Sequence, residues 1–423
     1  MLIMPKKPDI RPDKNADNGG AEAPAERTAL MEPMLVGETS RYRGELNDLI
    51  LELAQHASGF RRSLRPGIAA PLAGLVREMN CYYSNLIEGH DTHPVDIERA
   101  LRDEYSDDPH KRDLQREARA HINVQAWIDA GGLTGRAATA GGLREIHQRF
   151  CDELPEDLLW VEDPETKERV RVVGGDLRTR DVKVGRHIPV SPGGLERFLA
   201  RFETAYSNLG KTSSILAAAC GHHRLLWIHP FMDGNGRVAR LMSHALLVEQ
   251  LDSGGVWSVA RGLARREAEY KQRLMAADSP RHGDLDGRGS LSEKALADFA
   301  RFFLEICLDQ VKFMEGLVEP GRLERRILAW VEEAIQQDEI QPRSDRVLEV
   351  ILYRGELRRG EVAALVGVGE RQARRITGSL MDAGIVTSDG PRAPLHLAFP
   401  ARLAPYLMPG LFPEGAFEDR GGK

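Results

Sequence analysis

The sequence predicts a mainly α-helical protein with one β-hairpin and a small winged helix-turn-helix domain in its C-terminal part. Three observations lead to this prediction. Apolar residues recur at helical spacing through most of the 423 residues. Residues 172–190 instead alternate β-branched and polar residues around glycines, which is typical of a hairpin. After residue 340, two short helical patterns flank a glycine turn and precede two strand patterns.

The helical patterns begin after a polar N-terminal stretch. Leu46, Leu49, Ile50 and Leu53 give the first, over residues 42–57, because side chains three and four positions apart share one helix face. The pair Gly131-Gly132 ends the fourth helix. The further predicted helices of the main block cover residues 70–86, 95–105, 114–130, 143–154, 194–208, 213–228, 267–277 and 292–317.

Composition excludes several classes of protein. The formal net charge of −6 gives no strongly basic footprint for nucleic acid over the whole chain. The four cysteines are scattered without metal-binding spacing, which favours reduced thiols in a cytoplasmic protein. No window reaches the roughly 18 uninterrupted apolar residues of a membrane span. We therefore expect a cytoplasmic protein without a membrane partner.

One run of twelve residues concentrates phosphate chemistry. It combines a possible base, a possible metal ligand, a glycine turn and two arginines. The turn opens a helix, and successive backbone N–H groups at such a helix N-terminus bind anions. The two arginines lie three residues apart and so share one helix face. A nucleoside triphosphate with Mg²⁺ suits these parts best. The run is His229-Pro230-Phe231-Met232-Asp233-Gly234-Asn235-Gly236-Arg237-Val238-Ala239-Arg240.

This run resembles the signature of the Fic family, His-Pro-Phe-x-Asp/Glu-Gly-Asn-Gly-Arg-x-x-Arg, at every specified position. Family members similar to this chain transfer AMP from ATP to Ser, Thr or Tyr hydroxyls of proteins. The resemblance implies that His229 takes the proton from the target hydroxyl and that Asp233 holds Mg²⁺. It implies that Gly234, Asn235 and Gly236 cradle the α- and β-phosphates, that Arg237 clamps the phosphates, and that Arg240 meets the γ-phosphate.

The physical chemistry of the residues agrees with those roles. Attack at a phosphate needs positioning and charge neutralisation rather than covalent work by the protein. Histidine has a pKa near neutrality and suits a general base. Magnesium needs few protein carboxylates when substrate phosphates complete its shell, so Asp233 suffices. The planar arginine fork suits bidentate phosphate contacts, which lysine does not provide.

A second pattern lies far upstream. Ser84-Asn85-Leu86-Ile87-Glu88-Gly89 resembles the inhibitory motif of the family, Ser/Thr-x-x-x-Glu-Gly/Asn. The resemblance implies that Glu88 pairs with Arg240, occupies the γ-phosphate site and holds ATP in an unproductive pose. Taken alone, the pattern is also typical of an ordinary helical glutamate before a C-terminal glycine.

The hairpin over residues 172–190 resembles the family's flap, which binds a target segment by strand addition. A surface hairpin without target contacts is the alternative. The similarity covers roughly residues 42–318. It divides the chain into a disordered N-terminal tail (1–40), a helical region with the inhibitory motif (41–130), a Fic core (131–319), a winged helix domain (320–400) and a C-terminal tail (401–423).

The winged helix domain is ambiguous about DNA. Its second helix carries Arg371, Arg374 and Arg375, which suit phosphates and a major groove. Yet residues 341–399 hold nine Arg and no Lys against seven Asp and Glu, a net charge of +2, whereas DNA-binding domains are usually more basic. A docking or dimerisation module is therefore favoured over DNA binding.

The sequence thus predicts a protein adenylyltransferase that uses ATP and Mg²⁺, modifies a protein hydroxyl and is inhibited by the Glu88–Arg240 pair. Two alternatives stay open. One is a hydrolase that removes AMP with the same site, where Glu88 positions a water molecule. The other is a transcription regulator that senses nucleotide and reads DNA through its winged helix domain. A homodimer is also expected, since proteins similar to this chain often pair.

Overall fold

Helices dominate the computed structural model, which describes residues 9–10, 26–65, 67–163 and 167–417. The predicted mainly α-helical class is confirmed. The described part contains no helix long and apolar enough to cross a membrane. In chain order the helices are α1 (Arg43–Ser63), α2 (Ala69–Ile87), α3 (Pro94–Leu101), α4 (Pro109–Asp129), α5 (Ala140–Asp152), α6 (Leu195–Tyr206), α7 (Lys211–Ile228), α8 (Asn235–Leu251), α9 (Val259–Arg265), α10 (Glu267–Ala277), α11 (Glu293–Leu317), α12 (Pro320–Gln336), α13 (Ser344–Arg354), α14 (Val362–Val366), α15 (Glu370–Asp382) and α16 (Ala404–Leu407).

Helix α7 runs through the centre of the molecule. It packs along α8 and against α6, α11 and α1. Its residues 214–225 are buried on every side, and they include the apolar run 215–220. Ala217, Ala218 and Ala219 are fully buried and let neighbouring helices approach closely. The α7–α8 pair carries the predicted phosphate-binding run at its connection, so the site stands on the most buried part of the fold.

The strands are short and lie in three small sheets. The first pairs β1 (Asp9–Ile10) with β4 (Val182–Lys183). The second is an antiparallel hairpin of β2 (Trp160–Glu162) and β3 (Arg169–Arg171), which the sequence patterns did not predict. The third contains β5 (Glu356–Leu357), β6 (Val386–Thr387) and β7 (Leu395–Leu397) in the order β5-β7-β6.

The predicted hairpin over residues 172–190 is only partly regular. Its tip is formed by β4 and an antiparallel bridge between Val184 and His187, with Gly185 at φ +61° in the turn. The first half has no strand. There the buried Arg178 side chain donates to the backbone carbonyls of Arg180 and Val190. A side chain therefore satisfies backbone groups that a regular ladder would have paired.

Residues 26–40 are folded, so the predicted tail over residues 1–40 is wrong for this part. Met31, Met34 and Val36 are buried in the core. The buried Arg224 side chain donates to the Pro33 carbonyl through Nε at 3.1 Å and Nη2 at 2.9 Å. The apolar residues of this stretch form two short clusters, at 29–31 and 34–36, which are too short to show a period. The remote Arg224 binds the backbone between them. Residues 1–8 and 11–25 lie outside the described part of the chain.

Residues 401–417 also pack against the helical block, which corrects the predicted C-terminal tail over residues 401–423. Leu411 and Phe412 are buried. The Tyr83 hydroxyl donates to the Leu411 carbonyl at 3.0 Å, and the Tyr82 and Phe412 rings meet edge to face at 5.6 Å. This segment therefore covers α2, the helix that carries the inhibitory motif. Residues 418–423 fall beyond the described range.

The C-terminal part has the element order helix, strand, helix, helix, strand, strand, from α13 to β7. Gly367 follows α14 at φ +66°, a left-handed turn that glycine adopts readily. Arg343 donates to the carbonyls of Val366 and Gly367 and so holds that turn. These elements contain a helix, a glycine turn and a second helix at the predicted positions.

Candidate functional site

His229 stands at the end of α7 in a strained backbone conformation. Its φ of 52° and ψ of 62° lie in the left-handed region, and its N–H donates to the Leu225 carbonyl at 2.9 Å. Such a conformation is costly for a residue with a Cβ and is found often at functional sites. The turn ends α7 abruptly and points the chain into the loop that starts α8.

The imidazole of His229 is neutral near pH 7. Burial, together with the nearby Arg178 guanidinium and the His187 ring, lowers its pKa to about 3. A neutral imidazole has a free nitrogen lone pair that can accept a proton. His229 therefore meets the first requirement of a general base, and a bound anionic substrate would raise its pKa towards the neutral range.

The loop between His229 and α8 is closed by its own asparagine. Asn235 Oδ1 accepts from the Phe231 N–H at 3.0 Å, and Asn235 Nδ2 donates to the Phe231 carbonyl at 2.8 Å. Gly234 has φ +78°, and its N–H donates to Asp233 Oδ1 at 2.7 Å. Because the Asn235 side chain shapes the loop, the backbone N–H is the part of Asn235 that can bind a phosphate.

The His147 ring packs against this loop. Its ring stacks on Phe231 at 4.0 Å, and its Nδ1 accepts from the Gly175 N–H at 2.9 Å. Burial lowers the pKa of His147 to about 4, so the ring stays neutral. A buried, hydrogen-bonded and stacked imidazole of this kind has a structural role.

Helix α8 begins at Asn235 and directs its N-terminus towards the loop. The first N–H groups of a helix have no acceptor within the helix and carry partial positive charge. Arg237 and Arg240 follow on the same face and are 5% and 3% exposed. The predicted phosphate-binding residues are therefore brought together around one helix end.

Glu88 lies beside this helix end and contacts Arg240. Glu88 Oε1 is 2.5 Å from Arg240 Nη2, and Arg240 Nε donates to Ser84 Oγ at 2.9 Å. Ser84 and Glu88 are four residues apart at the end of α2, so both side chains lie on one face. The structure places Glu88 against Arg240, as the upstream pattern suggested.

The Glu88 carboxyl is ionised in this pair. Burial alone would raise its pKa, but the guanidinium groups of Arg240 and Arg237 outweigh burial and lower it to about 2. Gly236 is part of the same arrangement, because a Cβ on that residue would come within 2.4 Å of Glu88 Oε1. Glycine at position 236 therefore lets the carboxylate approach α8.

Sequence patterns missed two buried residues of the site. Arg178 donates through Nε to the His229 carbonyl at 2.8 Å, and its N–H donates to the Pro230 carbonyl at 2.9 Å. It thus joins the hairpin to the loop of His229. Glu117 on α4 is 3% exposed and accepts from Arg237 Nη2. Neither residue belongs to a recognisable motif, since each acts through contacts with residues far away in the chain.

The hairpin offers a strand edge next to His229. His187 Nε2 lies 2.7 Å from the Trp227 carbonyl and so anchors the hairpin tip to the end of α7. On the other side, β4 is paired with β1 in antiparallel register, with Asp9 opposite Lys183 and Ile10 opposite Val182. The β4 edge therefore accepts an added strand within this chain.

The loop between α7 and α8 lies in a part of the chain that matches a known protein family. Residues 137–247 match the family described as "Fic/DOC family". This segment includes the hairpin, α7 and most of α8. The match is confined to this segment of the chain.

Several named proteins are similar to part of this chain. "Protein adenylyltransferase Fic" of Drosophila mojavensis is 27% identical over 237 residues, which cover 55% of this chain and 42% of the relative. The protein of the same name from Drosophila virilis is 30% identical over 170 residues, or 40% and 32% of the two chains. The chain thus spans less than half the length of these relatives. A Fic family protein from Desulfovibrio desulfuricans G20 of known structure is 17% identical and has a TM-score of 0.48, over 84% of this chain and 95% of that chain.

Proposed function

We propose that this protein is an adenylyltransferase that moves AMP from ATP to a Ser, Thr or Tyr hydroxyl of a protein and releases pyrophosphate. One observation carries the proposal: a buried, neutral His229 lies next to a glycine turn that opens a helix bearing Arg237 and Arg240. The two similar Drosophila proteins are named protein adenylyltransferase Fic, which supports the same activity.

The reaction follows from these groups. The target hydroxyl oxygen forms a bond to the α-phosphorus of ATP while the bond from that phosphorus to the pyrophosphate oxygen breaks. His229 takes the hydroxyl proton. The N–H groups at the start of α8 and the guanidinium of Arg237 stabilise the phosphate charge that develops. The edge of β4 that pairs with β1 would hold the target segment in place of β1, as an added strand that brings the target hydroxyl towards His229.

Asp233 is the residue that would hold Mg²⁺. Its carboxylate is partly exposed in the loop before α8, and the described residues contain no cluster of three or more His, Cys, Asp or Glu side chains that could hold a metal. One carboxylate fits Mg²⁺, which keeps several waters and shares phosphate oxygens with the protein. When bound, the ion would neutralise phosphate charge.

In this proposal the Glu88–Arg240 pair inhibits the same site. Glu88 occupies the guanidinium of Arg240, to which the γ-phosphate of ATP would otherwise bind. Two anions compete for one cation there. We propose that the Glu88–Arg240 pair keeps ATP from its productive position.

Incubation of the purified protein with ATP labelled at the α-phosphate tests the proposal. We expect weak labelling of protein by the wild type, at least about tenfold more by Glu88→Gly, and none by Glu88→Gly with His229→Ala. Glu153→Gly is the matched control, because Glu153 is also a helix C-cap glutamate but bonds only Asn123 among the described contacts. The proposal fails if Glu88→Gly labels no protein in a cell lysate or if labelling survives His229→Ala.

Removal of AMP is a second candidate for this site. The observation in its favour is that Glu88 is ionised, close to the phosphate-binding helix end and 29% exposed, so it could hold a water molecule for hydrolysis. In that case Glu88→Gly would lose the release of AMP from a modified protein. Transfer and removal are thus distinguished by the sign of the Glu88→Gly effect.

Binding of duplex DNA is a separate proposal for the C-terminal region. Arg371, Arg374 and Arg375 on α15 are exposed, and the ion pairs found within the described residues do not include them. Free guanidinium groups on the second helix of a helix-turn-helix suit DNA phosphates. Salt-dependent binding of duplex DNA that weakens in Arg374→Ala would support this proposal. Absence of DNA binding by the wild type would leave protein docking as the role, and DNA binding that is unchanged in Arg374→Ala would exclude the α15 arginines as its cause.

A further inference from the structure

Glu117 joins the inhibitory segment to the first arginine of the signature run. This carboxylate lies inside the protein on α4, where its Oε1 accepts from Arg237 Nη2 and its Oε2 lies 2.7 Å from His90 Nδ1. His90 comes two residues after Glu88. Glu117 therefore contacts both the residue that would clamp ATP and the chain that follows the inhibitory glutamate.

The direction of these hydrogen bonds is fixed by chemistry. A carboxylate oxygen at 2.7 Å from His90 Nδ1 requires a proton on that nitrogen, because an ionised carboxylate can only accept. His90 Nδ1 then has no lone pair for Arg237 Nη2, which is 3.2 Å away. Both groups therefore donate to Glu117, which is their shared acceptor.

Arg237 bonds Glu117 but keeps a hydrogen-bond donor that has no acceptor among the described residues. Its guanidinium lies over the Phe150 ring at 5.2 Å, and Glu117 binds one of its terminal nitrogens. Its Nε is buried and has no hydrogen-bond partner among the described residues. A buried charged donor without a partner is costly, and a phosphate oxygen would satisfy it. The arginine is thus fixed in orientation with a donor left for an anion.

We infer that Glu117 is a positioning residue for ATP binding: it fixes the orientation of Arg237 before the nucleotide arrives. An unrestrained arginine would lose rotamer freedom on binding phosphate, whereas this one has lost it already. The inference rests on the proposed function only in that Arg237 is taken to bind phosphate. It adds a residue on α4, outside the signature run and outside the inhibitory motif.

A purely structural role makes a different prediction. If Glu117 only neutralised a buried arginine, its loss would lower the stability of the fold but leave the ATP affinity of folded molecules unchanged. A positioning role lowers the affinity itself. The affinity of folded protein for ATP is therefore the quantity that separates the two roles.

Calorimetric titration of ATP with Mg²⁺ into Glu88→Gly protein provides the test. Adding Glu117→Ala should raise the Kd for ATP by about tenfold, the change expected for one charge-assisted hydrogen bond. Glu117→Gln, which keeps an oxygen acceptor for Arg237, should raise it less. Gln125→Ala is the control, because it removes another buried polar side chain of α4 that bonds Asn80 instead of Arg237.

A double-mutant cycle shows whether Glu117 acts through Arg237. In protein that already carries Arg237→Ala, Glu117→Ala should cause less than a twofold further change in Kd. The inference is overturned if Glu117→Ala alone leaves the Kd within twofold, or if the effects of the two substitutions multiply. Since ATP binding does not require AMP transfer, absence of transfer with the expected Kd changes would count against the proposed function alone. Circular dichroism confirms that each variant titrated is folded.

Discussion

Ser84 and Glu88 lie one helical turn apart on α2 and hold the same guanidinium, that of Arg240. Ser84 Oγ accepts from Nε at 2.9 Å, and Glu88 Oε1 accepts from Nη2 at 2.5 Å. The serine explains why the inhibitory pattern extends four residues before the glutamate. It gives Arg240 a second acceptor, so the arginine is fixed in the orientation that meets the carboxylate.

Ser84→Ala should therefore relieve the inhibition of the site in part. The change leaves Arg240 Nε without its side-chain acceptor but keeps the Glu88 pair, so we expect AMP transfer to rise about threefold, less than in Glu88→Gly. Transfer of labelled AMP at fixed ATP concentration measures the effect.

Ser243→Ala is the matched control for Ser84→Ala. Ser243 is also fully buried, but it bonds His222 and the Ala218 carbonyl and is not bonded to Arg240 in the described structure. Equal activation in both variants would mean that general loosening, and not the loss of the Arg240 contact, raises activity.

Arg178 should be required for transfer more than for ATP binding. Its guanidinium holds the His229 carbonyl and the hairpin backbone, while it makes no contact with α8 among the described hydrogen bonds. Lysine cannot replace a fork that reaches three carbonyls. We expect Arg178→Lys to lower the transfer rate by about 100-fold or more and to change the Kd for ATP by less than about threefold.

Arg180→Lys is the control for that variant. Arg180 lies in the same hairpin and pairs with Glu168 at the surface. It should keep most of the transfer activity, because its partner is an exposed carboxylate. The prediction that Arg178 is required for transfer is contradicted if Arg178→Lys transfers AMP as fast as Arg180→Lys.

The sequence predicted the helices and the linear motifs because each has a local signal. The period of apolar residues gave both ends of α2 and α11 within one residue and the start of α1, and the glycine turn located the start of α8. The predicted end of α1, at residue 57, falls short of its observed end at Ser63. The juxtaposition of Glu88 and Arg240 was expected from a resemblance. No local period could have provided it, since 152 residues separate the pair.

What the sequence did not predict depends on contacts between distant residues. Residues 26–40 carry only two short apolar clusters, but Arg224 binds the backbone of this segment, and Met31, Met34 and Val36 are buried. Glu117 resembles any other glutamate on a helix until Arg237 is placed beside it. Buried charged residues are rare and need partners, yet the sequence does not show where those partners are.

The packing of residues 401–417 leads to a stability prediction. The buried Phe412 ring contacts Tyr82 on α2, and removal of a buried phenylalanine side chain costs about 3–5 kcal/mol. We expect Phe412→Ala to lower the free energy of unfolding by about that amount in urea denaturation. Tyr406→Ala is the control, because Tyr406 is 56% exposed in the same segment and should change the free energy of unfolding by less than about 1 kcal/mol. Equal effects of the two substitutions would contradict the packing of this segment.

His121 makes the fold sensitive to acid. It is completely buried, and both ring nitrogens are without a hydrogen-bond partner in the described structure. Burial, together with the nearby Arg240 guanidinium and the His244 ring, lowers its pKa to about 3. The unfolded chain binds a proton at this residue below about pH 6.5, whereas the folded chain does not. The stability that the neutral ring contributes is therefore complete above pH 6.5 and is lost as the pH falls towards 3.

His121→Leu should remove this dependence. Between pH 7.5 and pH 5, the loss in the free energy of unfolding should be smaller in His121→Leu than in the wild type by about 2 kcal/mol, since 1.5 pH units below 6.5 correspond to roughly that energy. Urea denaturation at both pH values measures the difference. His110→Leu, at an exposed position on α4, should keep the wild-type dependence. If His121→Leu loses as much stability on acidification as His110→Leu, protonation of His121 does not limit the fold, and the acid sensitivity lies with other buried imidazoles such as His222.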